Sequence, residues 1–266
     1  MSKLREQERE RYRRQLMHHG FALPHQERLR VSTALIAGVG GLGGAAAAYL
    51  AVAGIGRLRL VHSGNLTLSN MNRQTLMRND HIGKPRVTQA RHSIALLNPE
   101  VEVEIFDERF TNANAGPLLE GADIALSARP NFAERRVLNE TCVQQDIPMV
   151  EAAMNGMDGY LFTVAPGITP CLDCVFPAHD PAWEELGFPV FGAVSGMLGC
   201  MMALEAIKVL TGFGRPLGER MLVFNALDMT FRKVKIYRDP LCAVCSGIKD
   251  MKHAIDRPRA AENARW

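Results

Sequence analysis

Hydrophobic positions along the chain fall into short unbroken runs separated by longer mixed segments. Residues 30–37 (RVSTALIA) predict a buried first strand, and a glycine-rich turn follows at once. A helix of small residues is expected over 45–53 and a second strand over 57–62 (RLRLVH). Residues 85–97 have helical spacing, and 101–106 (VEVEIF) alternate as a strand. A fourth strand is expected at 122–128, a helix at 131–145 and a fifth strand at 147–153. Strands alternating with helices predict an α/β fold of the Rossmann-like, doubly wound kind, with a mainly parallel sheet.

After residue 155 the rhythm changes. A strand at 160–165 leads into a proline-rich region, a long apolar helix spans 191–210, and strands follow at 221–225 and 229–237. These predict an antiparallel C-terminal extension of the sheet. Residues 4–19 read as a charged helix, and 248–266 as a loose tail. The expected organisation is one domain over 1–247, with an N-terminal helical segment at 4–29, a Rossmann half at 30–155 and a cysteine-bearing half at 156–247. No internal repeat or low-complexity segment is present.

Composition changes this picture little. The 266 residues are 47% hydrophobic and 22% charged, an ordinary globular mixture. A net charge of +3 without a basic run gives no reason to expect nucleic acid as a partner. The charged N-terminus lacks the apolar core of a signal peptide. Residues 35–56 carry no charge, but their seven glycines suit a turn and close packing better than a membrane span. A cytoplasmic location without membrane contact is the expectation.

Two motifs carry chemistry. Gly38-Val39-Gly40-Gly41-Leu42-Gly43 fits G-x-G-x-x-G between a strand and a helix. Its first glycine allows the tight turn, the second a close approach of backbone to phosphate, and the third close helix–strand packing. Packing alone is the plainer explanation of such glycines; the amides at the helix start favour an anion. A NAD site wants an acid about 20 residues further on, at the end of the second strand. That strand ends in Val61-His62-Ser63-Gly64-Asn65, with no acid, which counts against a NAD oxidoreductase.

The second motif is the pair Cys171-x-x-Cys174 and Cys242-x-x-Cys245. Two thiolates at i and i+3 grip one side of a tetrahedral zinc, and two such pairs close its shell. A closed four-sulfur shell is structural, and the 67 intervening residues imply a clamp between distant segments. A redox role would need only one reactive pair. Cys142 and Cys200 lie in apolar helical patterns and read as packing residues.

The whole set resembles the ThiF/MoeB/HesA family, relatives of the ubiquitin-activating enzymes. The matching stretches are Arg11-Tyr12-Arg13-Arg14-Gln15, the glycine loop, Leu68-Ser69-Asn70-Met71-Asn72-Arg73-Gln74, Gly83-Lys84-Pro85-Arg86-Val87, Ala203-Leu204-Glu205-Ala206-Ile207-Lys208 and both cysteine pairs. Their order agrees over about residues 8–247. The resemblance implies adenylation of the C-terminal Gly-Gly carboxylate of a small ubiquitin-like sulfur carrier of the ThiS or MoaD type, for sulfur transfer in cofactor biosynthesis, by a homodimer using ATP and Mg²⁺. It implies a carrier-binding surface in the 156–247 half. It would have Arg14 reach the triphosphate from the partner subunit and Arg73 clamp it, with Asn70 and Gln74 completing the wall. Arg73 read alone could be a surface charge on a loop, but the surrounding Asn/Gln cluster favours the clamp.

Four positions depart from the family pattern. The ribose-binding acid falls on His62, and a second acid on Gly64. The phosphate-binding lysine falls on Arg86, which keeps the charge but changes the geometry. The Mg²⁺-binding aspartate falls on Pro130, beside Arg129. The loop over 176–191 lacks the reactive cysteine of some relatives, so covalent capture of the carrier is not expected. Two readings follow: an adenylyltransferase with exchanged ligands, or a non-adenylating member that keeps the fold, the dimer and a site for a carrier protein or small ligand. The missing acids count against ATP and Mg²⁺ as cofactors; structural zinc is expected.

Overall fold

A computed structural model describes residues 4–177 and 187–247. Three helices, α1 (Glu6–Arg11), α2 (Arg13–Leu16) and α3 (Leu23–Val31), precede the sheet. β1 (Thr33–Ala37), α4 (Gly41–Ala53), β2 (Arg57–Val61), α5 (Arg86–Leu97), β3 (Glu102–Phe106), α6 (Ala115–Leu119), β4 (Ile124–Ser127), α7 (Phe132–Gln144) and β5 (Met149–Asn155) form the alternating half. β6 (Asp158–Val164), α8 (Leu172–Val175), α9 (Gly192–Thr211), β7 (Arg220–Asn225) and β8 (Thr230–Lys235) complete the described chain.

All eight strands join one sheet in the order β3-β2-β1-β4-β5-β6-β7-β8. β3 to β5 are mutually parallel, and β6, β7 and β8 add antiparallel neighbours. β1 is buried along its whole length, as a central parallel strand covered on both faces must be. Its last residue, Ala37, is in register with Val61 of β2 and Ser127 of β4. Three strand ends therefore meet at one edge, and chain order reverses across β1, which opens a crevice there.

One core, under α4, α5 and α9, includes Leu50, Leu58, Ile94, Leu198 and Met202. The other, under α6 and α7, holds Leu119, Leu138, Phe162 and the cysteine pairs. α9 is long and apolar enough to cross a membrane, but half of its apolar window is buried within this fold. Gly199 lets α9 lie against the Leu42 carbonyl at the start of α4, where any side chain would collide.

The sheet departs from the expected boundaries at its entry. The predicted helix over 4–19 breaks at Tyr12. The Tyr12 ring is buried against Gly54, and its hydroxyl accepts from Asn98 Nδ2 at 3.0 Å. Residues 30–31, expected in the first strand, close α3 instead, with Val31 exposed. The tail over 248–266 and most of the loop over 176–191 lie outside the described residues.

Candidate functional site

The crevice begins at the glycine loop. Gly38 follows β1 with φ +109°, a conformation that disfavours any side chain, and donates its N–H to Val61 O at 2.8 Å. A methyl on Gly43 would run into the Gly38 carbonyl and lie 3.0 Å from Ala128 Cβ, so helix and strands touch backbone to backbone. Gly40 is the N-cap of α4. The amides of Gly40, Gly41 and Leu42 border the cleft and donate to no group among the described residues. The first turn of α9 arrives opposite, with Ser195 against Gly41. Two helix N-termini thus converge on a cleft of about 280 Å³.

At the end of β2, His62 is buried and lines this cleft. Its Nδ1 accepts from the Val39 N–H at 3.2 Å and from Arg129 Nη1 at 3.1 Å. A guanidinium can only donate, so the ring proton sits on Nε2, which is buried without a partner. Burial first, then Arg86 and Arg129, lowers the His62 pKa to about 3 and keeps the ring neutral.

Arg129 is buried as well, and its Nη2 meets Glu134 Oε1 at 2.7 Å. Glu134 also accepts from Asn131 Nδ2 at 3.0 Å and, through Oε2, from the Phe110 N–H at 3.1 Å. The Glu134 N–H returns to Asn131 Oδ1 at 2.8 Å, closing a reciprocal cap on α7. These bonds hold the Glu134 carboxyl below its ordinary pKa despite its burial. The loop after β4 therefore presents Arg129 and Pro130 to the cleft, with its acid turned onto the arginine.

Arg73, Gln74 and Arg86 line the same cleft. Arg73 Nη1 donates to Ser69 O at 2.7 Å and Asn72 Oδ1 at 2.9 Å. Arg86 ties down the loop after β2 through Ser63 O at 2.9 Å and Gly64 O at 3.1 Å. Burial, with repulsion from Arg129 and Arg73, works against the charge on Arg86. Gln74 Oε1 is buried without a partner. Asn70 does not border the cleft; its Oδ1 caps a turn by accepting the Thr67 N–H at 3.0 Å. Arg14 is exposed on α2 and does not line the cleft of its own chain.

A further arginine, Arg135, borders the cleft from α7 and was not singled out by sequence pattern. It donates to Glu151 Oε1 at 3.3 Å and to the Tyr160 hydroxyl at 3.0 Å, behind the cleft wall. Glu151 is fully buried, and its desolvation raises its pKa. A lone acid within the apolar run of β5 was the available signal for this network.

The donor set decides which ligands fit. Among the described residues, four guanidinium groups and one imidazole border the cleft, and no carboxylate does. Mg²⁺ needs oxygen ligands, usually one or two carboxylates beside the phosphates. The nearby acids Glu134 and Glu151 are each held by an arginine, and Asp107 accepts the Gly64 N–H at 3.2 Å. The described residues of the cleft do not fit Mg²⁺.

The cysteine pairs, by contrast, converge. Cys171 precedes α8, Cys174 lies in it, and Cys242 and Cys245 follow β8. Their sulfurs lie within 4.8 Å of one another, with separations of 3.8, 3.6 and 3.4 Å. A tetrahedral zinc with bonds of about 2.3 Å needs sulfur separations of about 3.8 Å, so the cluster can hold a metal ion. The Asp239 N–H donates to Cys174 Sγ at 3.4 Å, a hydrogen bond that favours the thiolate. Asp173 pairs with Arg136 and accepts from Asn139 Nδ2 at 2.9 Å, which fixes α8 to α7. Cys142 is buried in α7, and Cys200 half-buried in α9.

A Rossmann-type sheet extended by antiparallel strands, a glycine loop at the cleft and a four-cysteine cluster able to hold a metal define a class of nucleotide-fold protein. Residues 12–244 match the ThiF family, and the chain belongs to it. It is 52% identical over 245 residues to the vegetative HesA protein of Trichormus variabilis, covering 92% of each chain. It is 36% identical to the molybdopterin-synthase adenylyltransferase of Escherichia coli, over 92% of this chain and 99% of that one. A sulfur carrier protein adenylyltransferase of Thermus thermophilus is 34% identical, over 94% and 95%. Among solved structures, PaaA superposes with a TM-score of 0.79 at 25% identity, over 89% of this chain and 86% of that one.

Proposed function

We propose that this chain is a ThiF-family homodimer of the cytoplasm. It docks a ubiquitin-like sulfur carrier of the ThiS or MoaD type and holds an anionic ligand in its cleft, without Mg²⁺-dependent adenylation. The observation that carries this reading is the ring of His62, Arg129 and Glu134 beside Pro130. Adenylation needs cations to neutralise a triphosphate while a carboxylate attacks the α-phosphorus. Arg73, Arg86 and the glycine-loop amides remain to bind an anion, but no described residue of the cleft offers an oxygen anion to a metal. The structural metal of the clamp is zinc, held by Cys171, Cys174, Cys242 and Cys245.

The second reading, a working adenylyltransferase, draws on the intact phosphate side of the cleft and on the two relatives named as adenylyltransferases. Carrier-dependent exchange of pyrophosphate into ATP, measured with Mg²⁺ and ThiS-like or MoaD-like carriers, separates the two. No exchange above background is expected. Robust exchange by the unmodified protein would restore the enzyme reading. His62→Asp with Pro130→Asp should raise ATP affinity, because both changes return acids to the cleft.

A further inference from the structure

The polar side chains that line the cleft are mostly donors. After the hydrogen bonds already described, Arg73 keeps Nε and Nη2, and Arg86 keeps Nη1, without a partner among the described residues. The amides at the start of the 13-residue helix α4 face the same space. His62 adds a neutral Nε2–H that is buried and unsatisfied. An unmade hydrogen bond of this kind is costly to bury, and a ligand acceptor relieves it. Gln74 Oε1 is the one orphaned side-chain acceptor bordering the cleft.

In a nucleotide fold with an acid at the end of β2, the carboxylate accepts from ribose hydroxyls. Here the polarity at that position is reversed. His62 and Arg86 both donate, so an anion or carbonyl suits the place better than a diol. At the loop after β4, Arg129 places a fixed guanidinium whose charge Glu134 balances at 2.7 Å, so no acid there is free for a metal. A divalent cation entering with the ligand would meet four guanidinium groups and no carboxylate among the described residues.

We infer that the cleft binds a small phosphate-bearing anion without a divalent cation, with Arg73 and Arg86 supplying positive charge and His62 Nε2–H bonding an acceptor on the ligand. This rests on the reading above that Mg²⁺ has no place in the cleft. The consequence is an inverted metal dependence. Mg²⁺ complexes pyrophosphate and lowers its charge, so it should weaken binding here.

The test is calorimetric titration of the full chain with sodium pyrophosphate at pH 7.5, once in EDTA and once in excess Mg²⁺. Binding is expected in EDTA and should be at least about tenfold weaker in Mg²⁺. Adenosine should not displace the pyrophosphate. On binding, the His62 Nε2–H resonance should shift while the ring keeps its tautomer. Arg73→Gln should weaken binding in EDTA by about tenfold or more, the effect of one charge-assisted hydrogen bond. Binding promoted by Mg²⁺, absence of binding under both conditions, displacement by adenosine or a static His62 signal would each overturn the inference. Silent pyrophosphate exchange with no pyrophosphate binding overturns this inference alone. Exchange together with Mg²⁺-promoted binding overturns the proposed function as well.

Discussion

A single buried carboxylate decides how the loop after β4 is built. Glu134 accepts from Arg129, Asn131 and the Phe110 backbone, and all of these bonds are largely shielded from water. Removing one partner of a buried ion pair leaves an uncompensated charge, at a cost of about 3–5 kcal/mol. Glu134→Ala should therefore lower stability by that amount in urea unfolding, and a loss below about 1 kcal/mol would show that the pair contributes little. His62 makes stability depend on acid. Its folded pKa lies near 3 against an ordinary 6.5. The contribution is complete above pH 6.5 and is lost as pH falls from there towards 3, because only the unfolded chain takes up the proton. At pH 5 that amounts to about 2 kcal/mol, at roughly 1.4 kcal/mol per pH unit. In urea titrations at pH 7.5 and 5, His62→Gln should lose that much less stability on acidification than the unmodified protein. Equal losses would show that His62 is not the titrating group. The sequence made His62, Arg129 and Pro130 conspicuous as departures from a pattern. It did not show their joining, because His62 and Arg129 meet across 67 residues of chain through the pairing of strands on either side of β1. Only the Asn131-x-x-Glu134 cap was a local signal, and a cap signature does not say that its acid also holds an arginine.

Elements with a strong local period were legible. The hydrophobic pattern predicted β1 to β5 in order, and the 20-residue helix α9 was visible as a long apolar stretch. Short elements were not. α3 carries a proline at its start and no sustained apolar face, and α6 is five residues long. The glycine loop was legible as a motif, but only packing distinguishes its glycines from one another. Gly43 faces the Gly38 carbonyl at contact distance, whereas Gly196 in α9 has no neighbour within 4 Å beyond its own helix. Two substitutions of the same chemistry should then have opposite signs. Gly43→Ala forces backbone apart at the strand–helix junction and should lower the melting temperature and open the anion cleft. Gly196→Ala removes backbone freedom from the unfolded chain and should stabilise by about 0.5–1 kcal/mol. Thermal unfolding of the two variants side by side checks this; equal effects would place Gly43 in a looser environment than the contacts indicate.

At the scale of the whole molecule, two features join parts that are distant along the chain. Tyr49 and Val52 on α4 and Leu204 on α9 are exposed and apolar. A second copy covering this face would account for the exposed apolar side chains, and with Arg14 outside its own cleft the proposed dimer gives that arginine a site to reach. Light scattering at micromolar concentration should show a dimer, and Leu204→Glu should shift it towards monomer. The cysteine clamp is the second feature. Cys171 and Cys174 follow β6, Cys242 and Cys245 follow β8, and the enclosed segment contains the whole of α9 and the β7–β8 hairpin. β8 is an edge strand with mostly exposed side chains, and its last neighbours towards the C-terminus are the cysteine ligands. Without the metal, four sulfurs that lie within 4.8 Å of one another have only weak thiol contacts to hold them together. A bound structural zinc contributes folding energy directly, since the unfolded chain has no preformed shell. We therefore expect one zinc per chain by elemental analysis of reduced protein. Cys242→Ser should lose the metal and lower the melting temperature; a loss of about 3 kcal/mol corresponds to roughly 6–12 °C in a chain of this size. Proteolysis of that variant should begin after residue 164, on the clamp side of β6, because β1 to β5 and their helices keep their own pairing. Freshly purified protein without metal, or a Cys242→Ser variant as stable as the parent, would remove the clamp from the account of this fold.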